Sequence, residues 1–351
     1  MKPKLLIVEL WGLGDLVIAT PFIRAAAEKY TVTLLAKPFA TETGAHLWPT
    51  VEVLPFVAPW TAYRFVSKYG LWRWPWRKMI QLRHALRVKE FDYAVSGRWG
   101  DPRDHLLLKV SGAKERLGFP RWKNGHFLTQ SLQRPLPLAH RSEYWRLAGS
   151  ALGLSLPASG VQVASQPFLP PVVLIHTGSR LPLRVWPLPK FLAIVRRLRQ
   201  ENYTVQIACD EEQVNWWRQQ GEKVVCPRSI TELFACLDQA GIFIGNDSGP
   251  GHLAAICGHP TFTLFGPQLS EWFAPVHPAA EWIEGKACPY KPCSDYCRFP
   301  TPYCLWDLTE TEVWARVQSF AARHLRQAAV SQTAQSLPGQ FITDSTTPPS
   351  A

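Results

Sequence analysis

Residues 4–37, KLLIVELWGLGDLVIATPFIRAAAEKYTVTLLAK, leave this chain few folds to choose from. KLLIVEL (4–10) reads as a strand and WGLGD (11–15) as a tight loop. LVIATPFIRAAAEKY (16–30) then carries apolar residues at helical spacing, and TVTLLAK (31–37) is the next strand. A strand, a crossover helix and a second strand form a β-α-β unit, which predicts a parallel sheet with helices on its faces. FDYAVSG (91–97) adds a strand, and RSEYWRLAGSALG (141–153) is a helix that closes a first half. LSLPASGVQVASQPFLPP (154–171), rich in proline and small residues, reads as a linker.

The pattern then restarts. VVLIHTG (172–178) is a strand followed by glycine, and KFLAIVRRLRQ (190–200) is an amphipathic helix. YTVQIAC (203–209), EKVVCP (222–227), GIFIGN (241–246) and TFTLFG (261–266) read as further strands, with helices over 230–240 and from His252. The expected architecture is α/β: two Rossmann-like parallel-sheet domains, 1–155 and 170–326, facing an interdomain cleft. A length of 351 residues suits two domains. Residues 327–351 carry one charge and little periodicity, which predicts a disordered tail.

Composition narrows the function. The longest apolar runs fall far short of the roughly 20 residues that span a bilayer. The N-terminus resembles a signal peptide, but Glu9 and Asp15 interrupt its apolar stretch, so a cytoplasmic location is expected. A net charge of +11 points to an anionic partner. The basic residues are scattered and no nucleic-acid-reading motif is present, so nucleic acid is not expected. Several of the 16 tryptophans cluster in LWRWPWRKMIQLRHALRVK (71–89), which has six Lys/Arg and no acid. Such a segment either contacts an anionic membrane surface peripherally or is a solvated helix with its tryptophans packed inward. Cys288, Cys293, Cys297 and Cys304 crowd together, either as reduced thiols bracing a loop or, in a weaker alternative, as zinc ligands.

GNDSGPGHLAAIC (245–257) joins a buried strand to a helix through Gly245, Gly249 and Gly251. A helix N-terminus offers unpaired N–H groups and the positive end of a dipole, and glycine lets an anion approach, so a phosphate seat is expected over Ser248–His252. Asp247 and His252 flank it, as ligand contacts or as cap and packing residues. HTGSRLPLRVWPLPKF (176–191) brings a second loop, with Thr177, Gly178, Arg180 and Arg184, to the same cleft; arginine pairs bidentately with phosphate oxygens. Around Gly12 and Gly14 the sequence imitates GxGxxG, yet Val17 replaces the third glycine and the second strand ends in Ala36-Lys37 rather than an acid. A dinucleotide site is therefore disfavoured, and no cofactor is expected. Asp15 is left as a carboxylate at a strand's carboxyl end, a general base or a helix cap.

GLGDLVIATPFIRA (12–25), the run from Gly178 to Pro187 and GNDSGPGHLAAICGHPTFTLFGP (245–267) together resemble the ADP-heptose:lipopolysaccharide heptosyltransferases, glycosyltransferase family 9. The resemblance implies a GT-B fold and inverting, metal-independent transfer from a nucleotide-diphosphate sugar donor to an anionic lipid-linked glycan. It places the catalytic Asp on Asp15 and a phosphate-binding motif on Asp247, Ser248, Gly249 and His252. The family's Lys is Arg184 here, and its Gly-Gly turn reads Ala208-Cys209-Asp210. Another nucleotide-sugar donor, a sugar-nucleotide epimerase and a non-catalytic sugar-nucleotide or lipid-surface binding protein are the alternatives.

Overall fold

A computed structural model describes residues 1–62, 74–99, 102–120, 124–156, 170–293 and 296–335. Apolar runs make the strands. β1 (Lys4–Glu9), β2 (Thr31–Ala36), β3 (Glu52–Pro55), β4 (Tyr93–Trp99), β5 (Glu115–Phe119) and β6 (Gln130–Ser131) form one sheet in the order β3-β2-β1-β4-β5-β6. β7 (Val172–His176), β8 (Thr204–Ala208), β9 (Ile242–Asn246), β10 (Thr261–Phe265) and β11 (Ala280–Glu284) form a second, in the order β11-β10-β9-β7-β8. Every pairing in both sheets is parallel. Burial on both faces explains why β1, β9 and β10 are almost wholly apolar.

The first domain carries helices α1 (Leu13–Ile18), α2 (Thr20–Lys29), α3 (Phe39–Leu47), α4 (Pro59–Ala62), α5 (Trp76–Val88), α6 (Pro102–Ser111) and α7 (Arg141–Ala151). The second carries α8 (Leu188–Gln200), α9 (Glu211–Gln219), α10 (Ile230–Asp238), α11 (Gly249–Ile256), α12 (Ser270–Phe273), α13 (Tyr303–Trp306) and α14 (Glu310–Gln335). Phe22, Ile23 and Trp145 pack on one face of the first sheet, and Leu86, Phe91 and Leu108 on the other. Trp186, Phe191, Trp217 and Phe320 fill the core on one side of the second.

Several expectations are corrected. The helix expected over 16–30 is two helices, broken at Ala19, because Pro21 sits in the first turn of α2 and cannot donate the bond that would continue α1. Residues 222–227 form no strand; Val225 makes a single parallel bridge to Ala208 beside β8. That bridge occupies the third-strand position, so both domains follow the 3-2-1-4-5-6 plan, with Pro227 ending the pairing in the second. Helix α14 runs to Gln335, past the expected start of the tail at 327; QAAVSQTAQ is rich in alanine and glutamine, which suit a helix. The rest of that tail, 336–351, and most of the linker lie outside the described residues.

Candidate active site

In a doubly wound sheet, ligands sit beyond the carboxyl ends of the strands where the winding reverses. The reversal lies between β1 and β4 in the first domain, and between β7 and β9 in the second. The loops after β1, β7 and β9, together with Arg98 near the end of β4, line one cavity of about 680 Å³. From the first domain come Trp11 to Asp15, Lys37, Glu42, Arg98 and Arg141; from the second, His176, Gly178, Arg180, Arg184, Asp210, Arg228, Asp247 to Pro250 and His252.

Asp15 occupies the third position of α1. Its Oδ2 accepts a hydrogen bond from Gly12 N (3.1 Å), so it closes the helix start and faces the cavity at once. Arg98, from the end of β4, places Nη1 3.7 Å from Asp15 Oδ1 and lies 3.7 Å over the Trp11 ring. Trp11 Nε1 donates to Asp104 Oδ2 (3.3 Å), and Trp60 Nε1 donates to Asp104 Oδ1 (3.2 Å). Beneath the loop, buried Glu9 accepts from Trp11 N (3.1 Å). Burial, with the nearby Asp15 charge, pushes the Glu9 carboxyl up to about 8, against the pull of Arg98.

Across the cavity Arg184 Nη1 donates to Asp247 Oδ2 (3.2 Å). Asp247 is 4% exposed, and burial pushes its carboxyl upward while Arg184 draws it down and Asp15 adds to the rise. Burial also drives the His252 imidazole down to about 4, with His140 and Arg184 contributing, so it is neutral at pH 7. Arg141 lies 4.1 Å over the Trp272 ring, and burial lowers its guanidinium to about 10.

Glycine at two positions serves the domain seam. A Cβ on Gly14 would stand 2.8 Å from the His252 ring, and one on Gly249 would stand 2.8 Å from Leu13 Cβ. These contacts let α1 pack against α11, so the glycines expected to admit an anion also admit the opposite domain. The seam continues through the Glu42 carboxylate, which accepts from Thr231 N (3.1 Å), and through His140 Nε2, which donates to Ala274 O (3.0 Å).

Of the residues expected from sequence, Asp15, Gly12, Gly14, Gly178, Arg180, Arg184, Asp247, Ser248, Gly249 and His252 line the cavity. Thr177 and Gly251 do not. Thr177 is fully buried; its hydroxyl donates to Gln213 Oε1 (2.8 Å), and its carbonyl accepts from Asn246 Nδ2 (2.9 Å), which ties the loop after β7 to β9. Gly251 N donates to Ser248 O (3.2 Å) inside the first turn of α11, and Pro250 has no N–H, so the amide seat is narrower than the motif suggests. Ser248 Oγ turns back to Asn246 O (3.2 Å). Sequence reading missed Trp11, Arg98, Arg141 and Asp210. Arg98 and Arg141 lacked a signal because only the tertiary fold brings β4 beside β1 and α7 beside α1. Among the described residues no three His, Cys, Asp or Glu side chains are grouped to hold a metal ion, and Cys288, Cys293, Cys297 and Cys304 are free thiols.

Two Rossmann-like domains whose switch points face one cleft define the GT-B class of glycosyltransferase fold. The sequence profile of glycosyltransferase family 9 (heptosyltransferase) matches residues 126–301, and the chain belongs to that family. Lipopolysaccharide heptosyltransferase 3 of Escherichia coli strain K12 is 31% identical over 112 residues, 27% of this chain and 30% of that protein. The match thus spans less than a third of that relative's length. Among solved structures, Escherichia coli heptosyltransferase WaaC with ADP superposes with a TM-score of 0.69 at 16% identity, over 90% of this chain and 99% of that one. Escherichia coli ADP-heptose lipopolysaccharide heptosyltransferase II gives 0.66 at 17% identity, over 92% and 99%. A family 9 glycosyltransferase from Veillonella parvula gives 0.71 at 16%, over 92% and 98%. At such identities these structures share the fold.

Proposed function

We propose that this chain is an inverting glycosyltransferase that moves heptose from ADP-heptose onto an anionic, lipopolysaccharide-core acceptor, with Asp15 as general base. The observation that carries this reading is the meeting of Asp15 with the Arg184–Asp247 pair in one cavity, within the size range of small-molecule sites. Asp15 takes the proton of an acceptor hydroxyl as that oxygen bonds to the anomeric carbon. The bond from that carbon to the diphosphate oxygen breaks on the opposite face, and ADP leaves with the electron pair. Negative charge grows on the departing diphosphate, where Arg184, Arg180 and the start of α11 offer preorganised positive partners. Asp247 holds Arg184 in place for that task. Neutral His252, packed on Gly14, adds no competing charge beside the base.

Arg98, Arg141 and Lys37 line the cavity on the Asp15 side, which suits an acceptor bearing phosphates or acidic sugars. The donor assignment draws on the relatives named for ADP and ADP-heptose. The test is direct: purified protein is supplied with ADP-heptose and a heptose-deficient core acceptor. Release of ADP with a product of inverted anomeric configuration is expected. Retained configuration, or an epimer formed without acceptor, contradicts the reading.

A further inference from the structure

Asp104, in the first turn of α6, is fully buried and does not itself line the cavity. Its two oxygens face two tryptophans: Oδ2 accepts from Trp11 Nε1 (3.3 Å) and Oδ1 from Trp60 Nε1 (3.2 Å). A buried carboxylate is costly unless hydrogen-bonded, and here the bonds go to rings from two other elements. An indole donates only through Nε1, so each bond fixes the rotation of a whole ring.

The Trp11 end leads to the proposed base. Trp11 borders the cavity, and the Arg98 guanidinium lies 3.7 Å over its ring. Arg98 in turn sets Nη1 3.7 Å from Asp15 Oδ1, an ion-pair distance too long for a hydrogen bond. Asp15 Oδ2 is held by Gly12 N (3.1 Å), so Oδ1 is the oxygen turned towards Arg98. The strand also aims Arg98. The register of β4 on β5 shifts between Val95 and Trp99, and the Arg98 amide donates to Ser96 Oγ (3.2 Å). Irregularities of this kind re-aim side chains beside active sites. Strand and ring thus hold the guanidinium from two directions.

We propose that Asp104 is a positioning residue for the transfer: it anchors Trp11, the Trp11 ring seats Arg98, and Arg98 fixes the direction in which the Asp15 carboxylate meets the acceptor hydroxyl. This role presupposes Asp15 as the base of the reaction proposed above.

The experiment is single-turnover transfer from ADP-heptose to a heptose-deficient core acceptor, with ADP affinity measured by calorimetry on the same proteins. Asp104→Leu removes both hydrogen bonds at similar volume. Trp11→Phe removes only the bond to Asp104 and keeps a ring under Arg98, so it decides alone if Asp104→Leu does not fold. Each is expected to slow transfer about 10- to 100-fold, the cost of a misdirected reacting group, with ADP affinity within about twofold of wild type. Arg98→Met is expected to slow transfer at least as much. In the Arg98→Met background either substitution is expected to change the rate by less than about twofold, because its effect passes through Arg98. Transfer at the wild-type rate in Arg98→Met, or in either folded variant, overturns the inference. So does an equal slowing whether Arg98 is present or replaced, or a matching loss of ADP affinity, the marks of a merely structural carboxylate. Wild type that moves no sugar, or an Asp15→Asn protein as fast as wild type, overturns the base assignment on which the role stands.

Discussion

Glu9 ends β1 directly beneath the loop that carries Asp15, and its environment favours the neutral acid. Burial and the neighbouring Asp15 and Asp104 charges raise its pKa from 4.5 to about 8. The folded state therefore holds a proton that the unfolded chain has already released. That contribution is complete below pH 4.5 and fades as pH rises towards 8. His140, His252 and His259, each pushed down to about 4 by burial, act oppositely and lose stability below 6.5. Between pH 6.5 and 8 the Glu9 trend stands clear of theirs. Melting temperature is expected to fall across that interval in the wild type and to flatten in Glu9→Gln; an unchanged slope in the variant rejects the assignment. Individual residues were unevenly legible. Asp15, Arg184 and Asp247 announced themselves by lying in loops between recognisable strands and helices. Glu9 looked like a mere interruption of an apolar run, because its burial and the fold's placing of Asp15, Arg98 and Asp104 around it leave no local pattern.

Helix α5 is the element whose role the sequence left divided. Leu82 and Leu86 are buried, Trp74 just before the helix packs at a tilt against Trp60, and Arg87 Nε donates to Val110 O (2.8 Å). One face is thus ordinary packing. The opposite face exposes Trp76 (47%) and Ile80 (66%) among Arg77, Lys78 and Arg83, while Trp72 lies outside the described residues. An exposed apolar pair inside a basic face fits an interface with anionic head groups. No described helix is long and apolar enough to cross a membrane, so contact through α5 would be peripheral. Replacing Trp76 and Ile80 with serine is expected to lower co-sedimentation with phosphatidylglycerol vesicles severalfold, leaving neutral vesicles unaffected; equal binding removes α5 from the account. Elements with uninterrupted apolar runs, such as β1, β9 and β10, were readable from sequence. Short or polar ones, such as β3, β6 and β11, were not, because neighbouring strands rather than their own pattern hold them.

For the whole molecule, the two sheets matter less than how their switch points meet. Repetition of strand, glycine loop and helix foretold two similar domains and the cleft. It did not foretell that Leu13 seats on Gly249 and His252 on Gly14, because contacts between chain segments more than 200 residues apart leave no local pattern. That seam sets the first domain's carboxylate opposite the second domain's arginine and aspartate. The proposed division of labour puts the base on one domain and leaving-group stabilisation on the other. Asp15→Asn keeps the shape of the seam and the hydrogen-bonding oxygen that caps Gly12, and it removes the base. Single-turnover transfer by this variant, saturated with donor, tests the claim most directly. A rate lower by about 10²- to 10⁴-fold is expected, with ADP affinity near wild type. A rate close to wild type, or a parallel loss of ADP binding, would contradict it.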